Sequence, residues 1–141
     1  MIIKTIKKIQ TKDGYMVPVY KNWDKITNEG HVPEMVYTSY LNPGVKKDII
    51  LHKNRKTYIT CIFGKIKVET LENDKITEFL LDFDNKKDFI NLLIIKPNVP
   101  ICYTNMSENI SILLNCPSPS WHPENEDTYK AKSWKEIKEI L

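Results

Sequence analysis

Arginine is almost absent from this chain: Arg55 is the only one, and lysine supplies the rest of the 21 basic residues. Against 18 acidic residues the net charge is +3, and the lysines are dispersed rather than gathered. That distribution describes a solvated surface and argues against nucleic-acid binding, which needs basic side chains collected on one face. Cysteine is also sparse. Cys61, Cys102 and Cys116 are odd in number, lack CxxC spacing and lie in or beside apolar runs. This excludes a disulfide framework and a thiolate metal site, and predicts buried free thiols in a reducing cytoplasm. No apolar run approaches the ~20 residues of a membrane span. The first residues, MIIKTIKKIQ, alternate and are too charged for a signal peptide. Internal repeats and low-complexity tracts are missing, and so is helical periodicity before Ser133.

What is present is a series of short β-rich runs separated by turns. The 141 residues suffice for one domain with a core, residues 1–141, and 41% hydrophobic with 28% charged residues is ordinary for a soluble globular chain. Residues 2–9 and 15–20 flank Thr11-Lys12-Asp13-Gly14, a hairpin signal. Residues 21–33 read as a polar loop. Residues 35–41 (MVYTSYL) are β-rich and end at the turn Asn42-Pro43-Gly44. Strands follow over 45–51, 57–63, 65–71, 75–81 and 88–95. Turns recur roughly every 8–12 residues, the pattern of a β-sandwich or barrel. Ser133 and Glu136 form a capping box for a terminal helix with Trp134, Ile137 and Leu141 on one stripe.

Two stretches organise the chain. Residues 51–68 read LHKNRKTYITCIFGKIKV, a His-Lys step, a strand, Gly64 at a turn, and clean alternation in which Lys65, Lys67 and Glu69 oppose Ile66, Val68 and Thr70. Residues 92–117 read LLIIKPNVPICYTNMSENISILLNCP, with a Pro-Asn turn and two further strands. These stretches resemble the two motifs of the RmlC-like cupins, which include the dTDP-4-dehydrorhamnose 3,5-epimerases and the dTDP-4-keto-6-deoxyglucose 3,4-ketoisomerases. The family's first motif runs roughly Gly-x-His-x-His-Lys, strand, turn Gly; here it stands as Ile49-Ile50-Leu51-His52-Lys53 with Gly64. The second runs roughly Ile-Pro-Pro-Gly-x-x-His-Gly and stands as residues 95–102, IKPNVPIC. The segment PSPSWHPENEDTY, 117–129, is similar to the aromatic-Pro-Glu segment after the family's last barrel strand.

The resemblance implies an all-β fold, a cupin jelly-roll β-barrel with a short C-terminal helix. It implies a cytoplasmic homodimer in which the N-terminal strand pairs with a neighbouring subunit, and no metal or other cofactor. The ligand implied is a dTDP-linked nucleotide-sugar. His52 takes the place of the motif's second His, the base position of the ketoisomerases, and an imidazole at the inner end of a strand can move a proton next to a ketone. Tyr37 matches a strand tyrosine of those enzymes and can bond a sugar oxygen or shuttle a proton. Ile50 replaces the 3,5-epimerase base and Ile101 the second motif's His, so 3,5-epimerisation is not expected. Only His52 remains of the metal-binding cupins' ligand set; His31 falls in a loop and His122 in the tail. Lys53, Arg55 and Lys56 cluster beside His52, where they can address a pyrophosphate or form a solvated strand end. Tyr103 and Asn115 can bond sugar hydroxyls or simply pack, and Trp121 can stack on a base or cap the barrel. The functional expectation is 3,4-ketoisomerase-type proton shuttling by His52 on a dTDP-4-keto-6-deoxyhexose. The alternative is a catalytically lapsed cupin that binds a nucleotide-sugar without turnover.

Overall fold

Alternating apolar residues can bury one face only if the strands that carry them stack in two layers. The computed structural model, which describes residues 1–21 and 32–141, does this with two five-stranded antiparallel sheets. One has the order β1 (Ile2–Lys7), β9 (Phe89–Ile95), β6 (Lys56–Phe63), β11 (Ser111–Ser118), β4 (Tyr37–Leu41). The other runs β12 (Thr128–Ala131), β5 (Ile49–His52), β10 (Ile101–Asn105), β7 (Lys65–Glu72), β8 (Lys75–Asp82). Sheet neighbours are mostly far apart in sequence, as in a jelly roll. Helix α1 (Trp134–Ile140) closes the chain, and no described helix is long and apolar enough to cross a membrane.

Three apolar clusters follow from the period of two. Ile59, Ile66, Val68, Leu93, Ile101 and Leu113 fill the barrel between the sheets. Tyr58, Leu92 and Ile94 point the other way, with Ile6 and Ile90. Ile49, Leu51 and Cys102 pack outward under α1, where Ile137 is fully buried. Ser133 caps the helix, its Oγ accepting from the Glu136 amide at 3.2 Å while Glu136 accepts from the Lys132 amide at 3.0 Å. Burying Ile137 contributes about 1.5–3 kcal/mol. Leu141 departs from the expected stripe: it lies beyond the helix and is 50% exposed.

One end of the barrel is closed by side chains. Asn105 donates from Nδ2 to the carbonyls of Leu41, Asn42 and Asn109 at 2.8–3.0 Å, and Ser111 Oγ donates to Asn105 Oδ1 at 2.7 Å. Gly64 makes the β6–β7 turn with φ +84°, and a Cβ there would meet Ser111 Cβ at 2.9 Å and Cα at 3.0 Å. Glycine is therefore required both by the left-handed backbone and by the close approach.

Several boundaries differ from the sequence expectation. Residues 2–9 are not one arm of a hairpin. The hairpin is short, β2 (Ile9–Thr11) with β3 (Gly14–Met16), around the expected turn. The preceding strand β1 crosses instead to β9 of its own chain, Ile2 opposite Ile94, because Ile6 belongs with the apolar face of Ile90, Leu92 and Ile94. Residues 45–51 are not one continuous strand: Lys46 makes an isolated antiparallel bridge to Thr104 of β10, and β5 proper begins at Ile49. Strand β12, for which the sequence offers no strand signal, pairs along β5 with Thr128 opposite His52. Most of the expected polar loop, including His31, lies outside the described residues.

Candidate active site: the polar end of the barrel

Since Ile49 and Leu51 face the helix, Ile50 and His52 face the barrel interior. Ile50 sits directly opposite Ile101 on β10, and both pack against the inner core. The two motif-histidine positions that hold isoleucine here thus form one apolar pair. The turn after β5 brings in Arg55, the segment before β12 brings in Asp127, and β12 itself begins with Thr128. The Arg55 and Asp127 side chains are only 5% and 7% exposed.

These four residues form one bonded unit. Arg55 Nε donates to Asp127 Oδ2 at 3.1 Å, and Nη2 donates to Thr128 Oγ1 at 2.6 Å and to His52 Nδ1 at 2.7 Å. Thr128 Oγ1 is 3.1 Å from the same Nδ1. Burial first, and the Arg55 cation second, lower the His52 pKa to about 4, opposed by Asp127 and Glu126. The imidazole is neutral at pH 7.

Other polar groups converge here, Tyr37, Asn115 and Thr57 from the facing sheet and Tyr103 from the same sheet as His52. Tyr37 and Asn115 are cross-strand partners on β4 and β11. Burial raises the Tyr37 phenol above its ordinary value, with Arg55 partly offsetting it. Tyr103, 7% exposed on β10, is raised by burial too, with Tyr37 and Arg55 close enough to act on it. Thr57 lies on the inner face of β6, opposite Pro117. Asn115 Nδ2 and Thr57 Oγ1 are buried without a hydrogen-bond partner. Such atoms cost about 1–3 kcal/mol each until something bonds them.

Of the residues expected to act, His52, Tyr37, Arg55, Tyr103 and Asn115 come together. Arg55 differs from expectation in use: Nε and Nη2 are committed to Asp127, Thr128 and His52 inside the protein, so it does not stand at a rim as a fork for pyrophosphate. Lys53 is turned away, because the pleat puts it on the outer side; its Nζ donates to the Ile140 carbonyl at 3.1 Å and lies 5.7 Å from the Tyr129 ring. Lys56 reaches toward the Tyr58 ring, also outward. Trp121 is 42% exposed, with Nε1 donating to Glu126 Oε2 at 3.0 Å; the other Glu126 oxygen accepts from the Thr128 amide, tying the indole to the rim of the site. His122 stays in that exposed segment, accepting from the Glu124 amide. Among the described residues no group of three or more His, Cys, Asp or Glu could hold a metal ion. Sequence reasoning missed Asp127, Thr128 and Thr57. Asp127 and Thr128 sit in ENEDT, which reads as solvated tail, and only the lone arginine hints that a buried carboxylate must exist to meet it.

A family model described as WxcM-like, C-terminal (FdtA) matches residues 1–138. The chain belongs to this family. Its fold is that of the RmlC-like cupins. A dTDP sugar isomerase from Desulfovibrio desulfuricans G20 superposes with TM-score 0.78 at 14% identity, over 96% of this chain and 87% of that one. QdtA, a sugar 3,4-ketoisomerase from Thermoanaerobacterium thermosaccharolyticum in complex with TDP, gives 0.73 at 17% identity, over 98% and 93%. The rmlC epimerase of Mycobacterium tuberculosis gives 0.72 at 14% identity, over 91% and 66%. No curated protein sequence matches this WxcM-like chain.

Proposed function

We propose that this cupin is a nucleotide-sugar isomerase of the 3,4-ketoisomerase type, acting on a dTDP-4-keto-6-deoxyhexose, with His52 as the group that exchanges a proton with the sugar. The observation that carries the reading is the inward-facing His52 among the polar groups at one end of the barrel, in a fold whose neighbours include a 3,4-ketoisomerase in complex with TDP. The reaction needs no external oxidant or reductant. The proton on C3 leaves, a proton arrives on C4, the carbonyl passes from C4 to C3, and the hydroxyl hydrogen passes the other way through an enediol. It requires proton transfer beside a carbonyl and a donor to the developing enolate oxygen. His52 and the Tyr37 phenol fill these needs between them. Asn115 Nδ2 and Thr57 Oγ1 bond sugar hydroxyls, which removes the cost of their present isolation. Tyr103 lines the site, and Trp121 at the rim stacks on the base.

A second reading, a binding protein without turnover, draws support from the Ile50–Ile101 pair, which occupies both lost histidine positions with apolar side chains. Deuterium uptake from D2O into dTDP-4-keto-6-deoxyglucose separates the two. The wild type is expected to exchange and His52→Ala to lose exchange while still showing a concentration-dependent thermal shift with dTDP. A thermal shift without exchange in the wild type favours the binding protein, and no shift with any dTDP-sugar rejects both readings.

A further inference from the structure

We infer that Glu126 is a positioning residue that fixes the Trp121 indole as a ready-made stacking platform for the nucleobase of the ligand, at the mouth of the polar end of the barrel. This deepens the nucleotide-sugar reading and rests on it. Glu126 lies shortly before β12, the strand that pairs along β5 with Thr128 opposite His52. Its Oε1 accepts from the Thr128 amide at 3.0 Å, which ties the carboxylate to the start of that strand. Its Oε2 accepts from Trp121 Nε1 at 3.0 Å. Indole has a single N–H, so this bond uses all of its polar capacity and pins the ring by one edge. The bonds from Trp121 and Thr128 hold the Glu126 carboxyl below the ordinary carboxylate range, and the brace stays ionised at neutral pH.

The backbone beside Trp121 is held from the opposite sheet. The Ser120 amide donates to Glu34 Oε2 at 3.2 Å, and the Glu34 amide donates to the Pro117 carbonyl at 3.0 Å. Glu34 precedes β4, the strand of Tyr37, so the segment between β11 and β12 is fastened to both sheets. With edge and backbone fixed, Trp121 is still 42% exposed. The rings of Tyr15, Phe89 and Tyr129 each have a lysine ammonium 4.9–5.7 Å from the centroid. Among the described residues no cation stands over the Trp121 ring. A fixed aromatic ring with an open face suits a planar base, and binding is tighter when that ring need not be ordered first. The hydroxyl of Thr128, whose amide anchors Glu126, accepts from Arg55 at 2.6 Å, so the platform and the sugar end of the site share one anchor residue. Glu126 acts through Trp121.

The brace is read without ligand. In 15N-labelled protein, with Trp121→Phe assigning its signal among the three indoles, the Trp121 Nε1–H is expected to exchange slowly with solvent despite the ring's exposure, and several-fold faster in Glu126→Ala. The platform is read by calorimetric titration with dTDP. Trp121→Ala should raise Kd about 5- to 150-fold, the loss of one base-stacking contact. Glu126→Ala should raise it roughly 2- to 12-fold, the cost of ordering one side chain on binding, and should add nothing in the Trp121→Ala background. Neither side chain is buried, so the variants leave the core intact. An indole signal unchanged in Glu126→Ala, a Kd unchanged in Trp121→Ala, or effects that add in the double variant overturn this inference and leave the nucleotide-sugar reading standing. No binding of dTDP by the wild type overturns both.

Discussion

Removing the Asp127 carboxylate should strand a positive charge inside the protein. The Arg55 and Asp127 side chains are 5% and 7% exposed, and the 3.1 Å contact between them links residues 72 apart in sequence. Taking one partner from a buried ion pair costs about 3–5 kcal/mol, because the survivor has neither water nor counter-charge. For Asp127→Ala the lower end, about 3 kcal/mol, is expected, since Arg55 retains the Thr128 hydroxyl and His52 Nδ1 as acceptors. In a chain of this size that corresponds to a melting temperature lower by roughly 6–12 °C. The double variant Arg55→Met/Asp127→Leu removes both charges and should recover most of the loss, because well-packed apolar replacements of a buried pair are often neutral or stabilising. Urea unfolding of the wild type, Arg55→Met, Asp127→Leu and the double variant closes the cycle. If Asp127→Ala falls within 0.5 kcal/mol of wild type, or if the two single effects merely add in the double variant, the pair is solvated and the reasoning about Arg55 fails.

Two further outcomes concern His52 and Gly64. The His52 ring protonates near 6.5 in the unfolded chain and at about 4 in the folded one, so the unfolded state binds more protons in that window. Stability from this group is complete above 6.5 and is lost as pH falls to about 4, roughly 3 kcal/mol in all. His52→Gln should flatten that part of the stability curve, and wild-type and variant curves that stay parallel from pH 7 to 4 would refute the burial argument. Gly64→Ala should destabilise by roughly 1–3 kcal/mol, through left-handed backbone strain and overlap with Ser111; an unchanged melting temperature would show that the turn relaxes freely.

Much of the barrel was legible in the chain because its signals are local. Strands β6 to β9 were readable from alternation interrupted by Gly64 and by the Asn73-Asp74 turn, both of which take positive φ. The helix was readable from Ser133 and Glu136, three residues apart, and the inward direction of His52 from its place in the cupin-like motif. Strand β12 was not readable, since four residues, Thr-Tyr-Lys-Ala, are too few to establish a period. Nor was the partner of β1, because alternation says that a strand has a buried face but not which sheet covers it.

The same division runs through the site. The sequence by itself determined which residue types were available: one arginine, one imidazole within the barrel motifs, and isoleucines in the two lost histidine positions. It also determined which residues of each strand share a face, since that depends only on the geometry of neighbouring peptide units. Tertiary structure alone decided that Ile50 meets Ile101, that Lys53 turns to the end of α1, and that Asp127 leaves an acidic tail to be buried against Arg55. It alone decided which nitrogen of His52 faces a donor. These are contacts between segments tens of residues apart, and burial and hydrogen-bond partners set the charge state of a group far more strongly than its neighbours in sequence do.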